Sequence, residues 1–175
     1  MNLVAEKIEM QQENYEISLV PADKVSLIWK KIEKFLKKSA GRSGGRTSIE
    51  DIYHELINNK THLWIIYELN TSDISGVQIT LFNIYPTGKK MLNLEHTAGT
   101  NMQDWVEKGI DVITQFAKDT DCEGLEGIGR HGQWNWVKNK KGWKKPATFY
   151  EYNFEENAWE NLKEAVEAHS QQIKL

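Results

Sequence analysis

Met91-Leu92-Asn93-Leu94-Glu95-His96-Thr97-Ala98 and Leu125-Glu126-Gly127-Ile128-Gly129 are the two runs whose reading decides how this chain folds. Each has the length and composition of a strand. Between them a segment starting near Thr100 spaces Met102, Trp105, Val106, Ile110, Ile113 and Phe116 at helical intervals. Strand, helix and strand at this spacing predict a βαβ unit, with two parallel strands joined by a right-handed crossover. Ligands of open sheets gather beyond the carboxyl ends of such strands, at the start of the following helix. Residues 97–100 and 129–132 are therefore the first places to look for chemistry. Gly109 falls on the buried helical face, where it costs about 1 kcal/mol relative to alanine. It is expected to mark the closest approach of helix to sheet. A short helix from Gln133, carrying Trp134, Trp136 and Val137, is expected to end at Gly142 with Trp143 in the accompanying apolar contact.

Upstream, the links are too short for further crossovers. Residues 63–69 are nearly all apolar, so both faces of that strand should be covered. The turns Asn70-Thr71-Ser72-Asp73 and Pro86-Thr87-Gly88 lead into residues 74–85 and 91–98, as antiparallel hairpins require. The expected sheet is mixed: residues 91–98 pair antiparallel with 74–85 and parallel with 125–129. Residues 15–20 alternate as a first strand, ended by Pro21, and Asp23 is placed to cap a helix. That helix turns Val25, Ile28, Trp29, Ile32, Phe35 and Leu36 inward, with Leu27 astray, and Lys30, Lys31, Lys34, Lys37 and Lys38 outward. Thr47-Ser48-Ile49-Glu50 reads as a capping box for a second helix, with Ile49, Ile52, Tyr53, Leu56 and Ile57 inside and His54 outside. The glycine-rich residues 41–46 follow no strand and precede no Gly-Lys-Ser/Thr, so they read as a mobile loop and not a phosphate loop. Residues 148–154 read as a last strand. Residues 156–170 read as an acidic helix with Trp159, Leu162, Val166 and His169 on one stripe. The organisation is an N-terminal arm at 1–14, one domain at 15–155 and a C-terminal acidic helix within 156–175.

Composition narrows the classes. With 175 residues, 39% hydrophobic and 27% charged, the chain can bury one core and is not of disordered composition. No apolar run is long enough for a bilayer, and the first residues lack the basic and apolar regions of a signal peptide, so no membrane partner is expected. The single cysteine, Cys122, excludes an internal disulfide and a cysteine zinc cage, and no metal-ligand spacing of His, Asp and Glu occurs. The expected location is cytoplasmic. The net charge of −3 is unevenly spread. Residues 24–46 hold eight Lys/Arg against Glu33 alone, and residues 138–145 hold five lysines and no acid. Nucleic acid binding through the segments from Lys30 to Arg46 and from Lys138 to Lys145 is one reading of that asymmetry. Two solvated faces are the plainer one. No helix-turn-helix or zinc module accompanies them.

The order strand, two helices, three antiparallel strands, helix, parallel strand, helix, strand, over about residues 15–155, resembles the GCN5-related N-acetyltransferase (GNAT) fold. The ending Gly129-Arg130-His131-Gly132-Gln133-Trp134, then Lys140-Lys141-Gly142-Trp143, is similar to that of small GNAT-like proteins encoded by tailed bacteriophages. The resemblance implies acetyl-CoA bound where the central strand ends, its pyrophosphate held by backbone N–H groups of an Arg/Gln, two residues, Gly, one residue, Gly/Ala pattern. This chain has His96-Thr97-Ala98-Gly99-Thr100-Asn101-Met102-Gln103-Asp104 there, with one glycine. The cofactor positions would be Thr97, Ala98, Gly99, Thr100 and Asn101. Thr100 and Gln103, however, have the spacing of a capping box that would occupy those N–H groups, and Asp104 adds negative charge. The resemblance further implies a carboxylate base, for which Glu95 is the candidate, and a tyrosine acid, for which Tyr150 is, with Tyr152 nearby. Strand alternation places Glu95 and His96 on opposite faces. Arg130 and His131 end the parallel strand, where an anion could be met. The favoured reading is a GNAT-like protein with a degenerate acetyl-CoA site and no cofactor. It would serve as a binding or structural component with protein partners, such as other structural proteins of a phage particle, in the host cytoplasm or the virion. The alternative is an acyl-CoA-dependent N-acyltransferase using acetyl-CoA.

Overall fold

The computed structural model describes residues 14–129 and 133–147. The expected arm, last strand and acidic terminal helix, together with Arg130, His131, Tyr150 and Tyr152, lie outside the described residues. Five strands form one sheet in the order β1 (Tyr15–Val20), β2 (His62–Glu68), β3 (Ile74–Ile84), β4 (Lys90–Gly99), β5 (Gly124–Glu126). The first four neighbours pair antiparallel, and β4 pairs with β5 in parallel. This is the mixed sheet expected, although β5 is a shorter strand than residues 125–129.

Helices cover both faces, because alternate residues of β2 are apolar on both sides. Leu63 joins Val77 and Ile79 of β3 beneath α1 (Val25–Ala40) and α2 (Ile49–Ile57). Trp64 and Ile66 face the other way, packing with Tyr15, Ile17 and Leu92 against α3 (Val106–Asp119) and against Val137 of α4 (Trp134–Val137). Each helix turns its periodic apolar stripe inward. In α1, Val25, Ile32, Phe35 and Leu36 are buried, while Leu27 is 74% exposed and the five lysines face solvent.

Several local expectations are corrected. Asp23 caps nothing. It lies in a 3₁₀ turn, Ala22–Lys24, and pairs with Lys24 at 3.1 Å. The capping box of α2 is one residue later than predicted: Ser48 Oγ accepts the Asp51 N–H at 3.0 Å, and Asp51 Oδ2 accepts the Ser48 N–H at 2.9 Å. Asp at the third helical position suffices there, so Thr47 and Glu50 are not the pair, and Ile57 ends exposed. The short helix stops at Val137, and Gly142, at φ 94°, closes a later turn instead of capping it. A β-carbon on Gly109 would meet only Trp105 Cε3, at 3.9 Å. Gly109 is buried, but the tight contact lies elsewhere. The Trp105 indole lies across Gly76 of β3 and Gly99 of β4, where a β-carbon would come within 2.6 Å and 2.7 Å of its Cζ2.

Candidate active site

The C-terminal half of β4 is where the sheet opens. β5 stays in register with β4 for three residues, Met91↔Gly124, Leu92↔Leu125 and Asn93↔Glu126. Gly127 then passes so close to Leu94 that a β-carbon would sit 2.9 Å from its carbonyl oxygen. Beyond that point β4 keeps β3 on one side, and among the described residues no strand takes the other. The N–H of Thr100 donates to Ser75 O at 2.8 Å, so the ladder with β3 continues past the strand's end. By antiparallel alternation the backbone groups of Thr97 and Gly99 face the open side.

Within this stretch β4 carries a bulge. Ile79 pairs with His96 and Thr80 with Leu94, leaving Glu95 as the extra residue. The bulge corrects the expected alternation. Leu94 still packs on the α3 face, whereas His96 reaches the α1 side, its Nδ1 3.0 Å from Ser39 Oγ. The Glu95 carboxyl is solvent-exposed, yet crowding by neighbouring protein, and secondarily the charge of Glu55 on α2, raises its pKa above the ordinary glutamate value. The slip turns His96 to the α1 side, and Glu95, the extra residue, feels the charge of Glu55 on α2. His96 is 8% exposed, and burial lowers its pKa, favouring the neutral ring.

The remaining candidates each have a visible occupation. Thr97 donates its hydroxyl to Gln78 Oε1, and Gln78 in turn donates to Ile79 O at 2.7 Å. Ala98 packs against the α1–α2 core. Gly99 gives room to Trp105, whose Nε1 donates to Thr100 O at 2.9 Å. Thr100 does not cap a helix; its hydroxyl approaches Ser75 O at 3.3 Å. Asn101 turns the chain with φ 48° and ψ 41°, and its side chain acts to lower the pKa of the Tyr15 phenol. A 3₁₀ turn, Met102–Asp104, follows with no side-chain cap, and α3 begins at Val106, likewise uncapped from Trp105. The expected Thr100–Gln103 box is therefore absent, because the β3 ladder and the Trp105 indole hold Thr100 first. Asp104 is close enough to Tyr15 to join burial and Glu68 in raising that phenol's pKa. Sequence reasoning missed Ser39, Glu55 and Gln78. The first two are distant in sequence and carry no local signal, but a lone glutamine amid Ile74, Val77 and Ile79 was a legible one.

The two basic segments do not form one surface. α1 covers one face of the sheet, while Lys138 to Lys145 follow Val137 on the α3 face, where Lys140 lies 3.5 Å from Asp111 and 3.8 Å from Glu107. Among the described residues, no group of three or more His, Cys, Asp or Glu could hold a metal ion, and no helix is long and apolar enough to cross a membrane.

An opened central strand with an uncapped turn after it, in this order of elements, is a GNAT-like fold. Solved structures bear out the fold. An aminoglycoside acetyltransferase from an uncultured soil metagenomic sample superposes with a TM-score of 0.62 at 13% identity, covering 82% of this chain and 98% of that one. The ribosomal-protein-alanine N-acetyltransferase of Brucella melitensis biovar Abortus gives 0.58 at 14% identity, covering 81% and 99%. A predicted acetyltransferase of Clostridium acetobutylicum, solved with acetyl-CoA, gives 0.57 at 15% identity, covering 79% and 96%. No protein-family model matches the sequence, and no curated protein does.

Proposed function

We propose that this chain is an acyl-CoA-dependent N-acyltransferase with Glu95 as the general base. The observation that carries the reading is the bulged, one-sided half of β4. It presents Glu95 and strand-edge groups that no strand pairs among the described residues, beside a turn that no side chain caps. The residues fit an acyl-CoA. The open edge at Thr97 and Gly99 offers N–H and C=O groups of the kind the amides of pantetheine require, and the uncapped turn offers N–H groups for phosphate. Acyl-CoA supplies the acyl group as a thioester. The amine nitrogen forms a bond to the acyl carbon as the C–S bond breaks, the amine proton passes to Glu95, and the leaving thiolate takes up a proton. A carboxyl with a raised pKa is the better base for this step. Tyr150 lies outside the described residues, and its part as the acid stays with the resemblance.

A non-catalytic role in a phage particle is the second reading. It draws on the phage-like ending of the domain and on Asp104, whose charge opposes a pyrophosphate at the turn. Calorimetry with acetyl-CoA decides between them. The enzyme reading expects saturable binding, retained in Glu95→Gln, with thiol release to an amine panel reduced about 10²- to 10⁴-fold in that variant. Absence of acetyl-CoA binding by the wild type would hand the case to the non-catalytic reading.

A further inference from the structure

We propose that His96 is a second catalytic residue, its Nε2–H donating a hydrogen bond to the acyl oxygen as negative charge gathers there. The inference rests on the acyltransferase reading and adds to it the side chain that answers the oxyanion. His96 is 8% exposed and follows Glu95 at the bulge of β4. Its Nδ1 lies 3.0 Å from the Oγ of Ser39, one residue before the end of α1. Among the described residues the ring makes no other hydrogen bond, and Thr61 Oγ1 is the one sealed side-chain atom without a partner. Nε2 of His96 is therefore unpartnered and yet open to solvent, on a ring that protein otherwise encloses.

The neighbours set the direction of that opening. β3 closes one flank of the strand, where Ile79 pairs with His96, and α1 takes Nδ1 from above. On the other flank β4 has no strand beyond Asn93 among the described residues. The two nitrogens of an imidazole point apart, so with Nδ1 turned to α1, Nε2 is left to the opened flank. That is the flank on which the acyltransferase reading places the thioester, beside Glu95. The tautomer follows from the same contacts. Burial favours the neutral ring, which carries one N–H. The Ser39 hydroxyl has no other partner among the described residues, so it donates to Nδ1 and the ring proton sits on Nε2. As the amine nitrogen bonds to the acyl carbon, the C=O electron pair moves onto oxygen, and Nε2–H meets that charge without giving up its proton. The C=O bond re-forms as the C–S bond breaks, and Glu95 remains the base. A donor fixed before the charge develops strengthens in the transition state more than in the ground state.

The test uses the full chain. His96→Leu removes the donor, and His96→Gln returns an amide N–H near the place of Nε2. With acetyl-CoA and an amine panel, kcat of His96→Leu should fall about 10²- to 10³-fold, while its affinity for acetyl-CoA by calorimetry stays within about twofold. His96→Gln should recover most of that loss. Nitrogen NMR of isotope-labelled wild type should show the Nε2–H tautomer at neutral pH, and Ser39→Ala should shift the ring toward a mixture of tautomers and lower kcat. The proposal is overturned if His96→Leu binds acetyl-CoA and turns over as fast as the wild type, if His96→Gln falls as far as His96→Leu, or if the wild-type ring carries its proton on Nδ1. Should His96→Leu fail to fold, the tautomer and the rate of Ser39→Ala decide instead. A wild type that binds no acetyl-CoA overturns the acyltransferase reading and this role with it, whereas full activity in His96→Leu overturns this role alone.

Discussion

Trp105 sets the local rules around the opened strand, and glycines answer to it. Alanine at Gly99 would place its β-carbon 2.6 Å from Ser75 O as well as against the indole. Backbone cannot yield there as a flexible side chain can, so Gly99→Ala should destabilise by ~1–3 kcal/mol in denaturant titrations. Gly109 has the opposite sign. It is helical and its added β-carbon meets ordinary contact distance, so Gly109→Ala should stabilise by about 0.5–1 kcal/mol. A loss of stability on that change would return Gly109 to the role its sequence position suggested. Glu95 is tested by pH. Its carboxyl is held above the ordinary glutamate value by crowding first and Glu55 second. The acid limb of the pH–rate profile should therefore lie above the usual glutamate range. Glu55→Gln should move that limb to lower pH, and Glu95→Gln should remove it.

The start of α3 shows what a local signature can miss. Thr-x-x-Gln is a start signal by spacing, but Thr100 is held by Ser75 and by Trp105, partners that depend on the hairpin of β3 and β4. Apolar periodicity made the order of elements and the mixed pairing legible, since each inward stripe is a property of its own helix or strand. The bulge at Glu95 was not legible, because Leu92, Leu94, His96 and Ala98 read as unbroken alternation while pairing with β3 slips by one. The site depends on that slip. Two substitutions separate real from apparent caps. Ser48→Ala removes the acceptor of the Asp51 N–H and should cost about 0.5–2 kcal/mol. Thr100→Ala removes only a long contact to Ser75 O and should cost well under about 1 kcal/mol. Equal losses from the two would mean that Thr100 caps α3 after all.

The sheet carries His96, buried on one face, and His62, half-buried on the other, and together they give the protein a pH-dependent stability of predictable sign. His62 stands among Phe82 and Phe116 on the α3 side, with its Nδ1 3.3 Å from Thr80 Oγ1. Burial lowers its pKa, the Thr80 backbone opposes this, and the Lys90 charge adds to the lowering. His96 lies on the α1 side, lowered by burial alone. Above an ordinary imidazole pKa of about 6.5 neither folded nor unfolded chain binds these protons, and stability is full. As pH falls through that value the unfolded chain takes up protons that the folded one refuses. Stability is then lost progressively until the lowered folded pKa values are reached. Asp51, whose pKa is lowered chiefly by the Ser48 backbone N–H, acts only further into acid, below the ordinary aspartate value. Glu95, raised, acts oppositely and above the ordinary glutamate value, so it blunts the lower end of the same slope. Denaturant midpoints should stay level above pH ~7 and decline below pH ~6.5. His62→Gln and His96→Gln should each flatten the decline. Because the two rings lie on opposite faces and share no partner, the double variant should show the sum of both effects. A wild-type midpoint that does not change between neutral and mildly acid pH would mean that neither ring is held neutral by the fold.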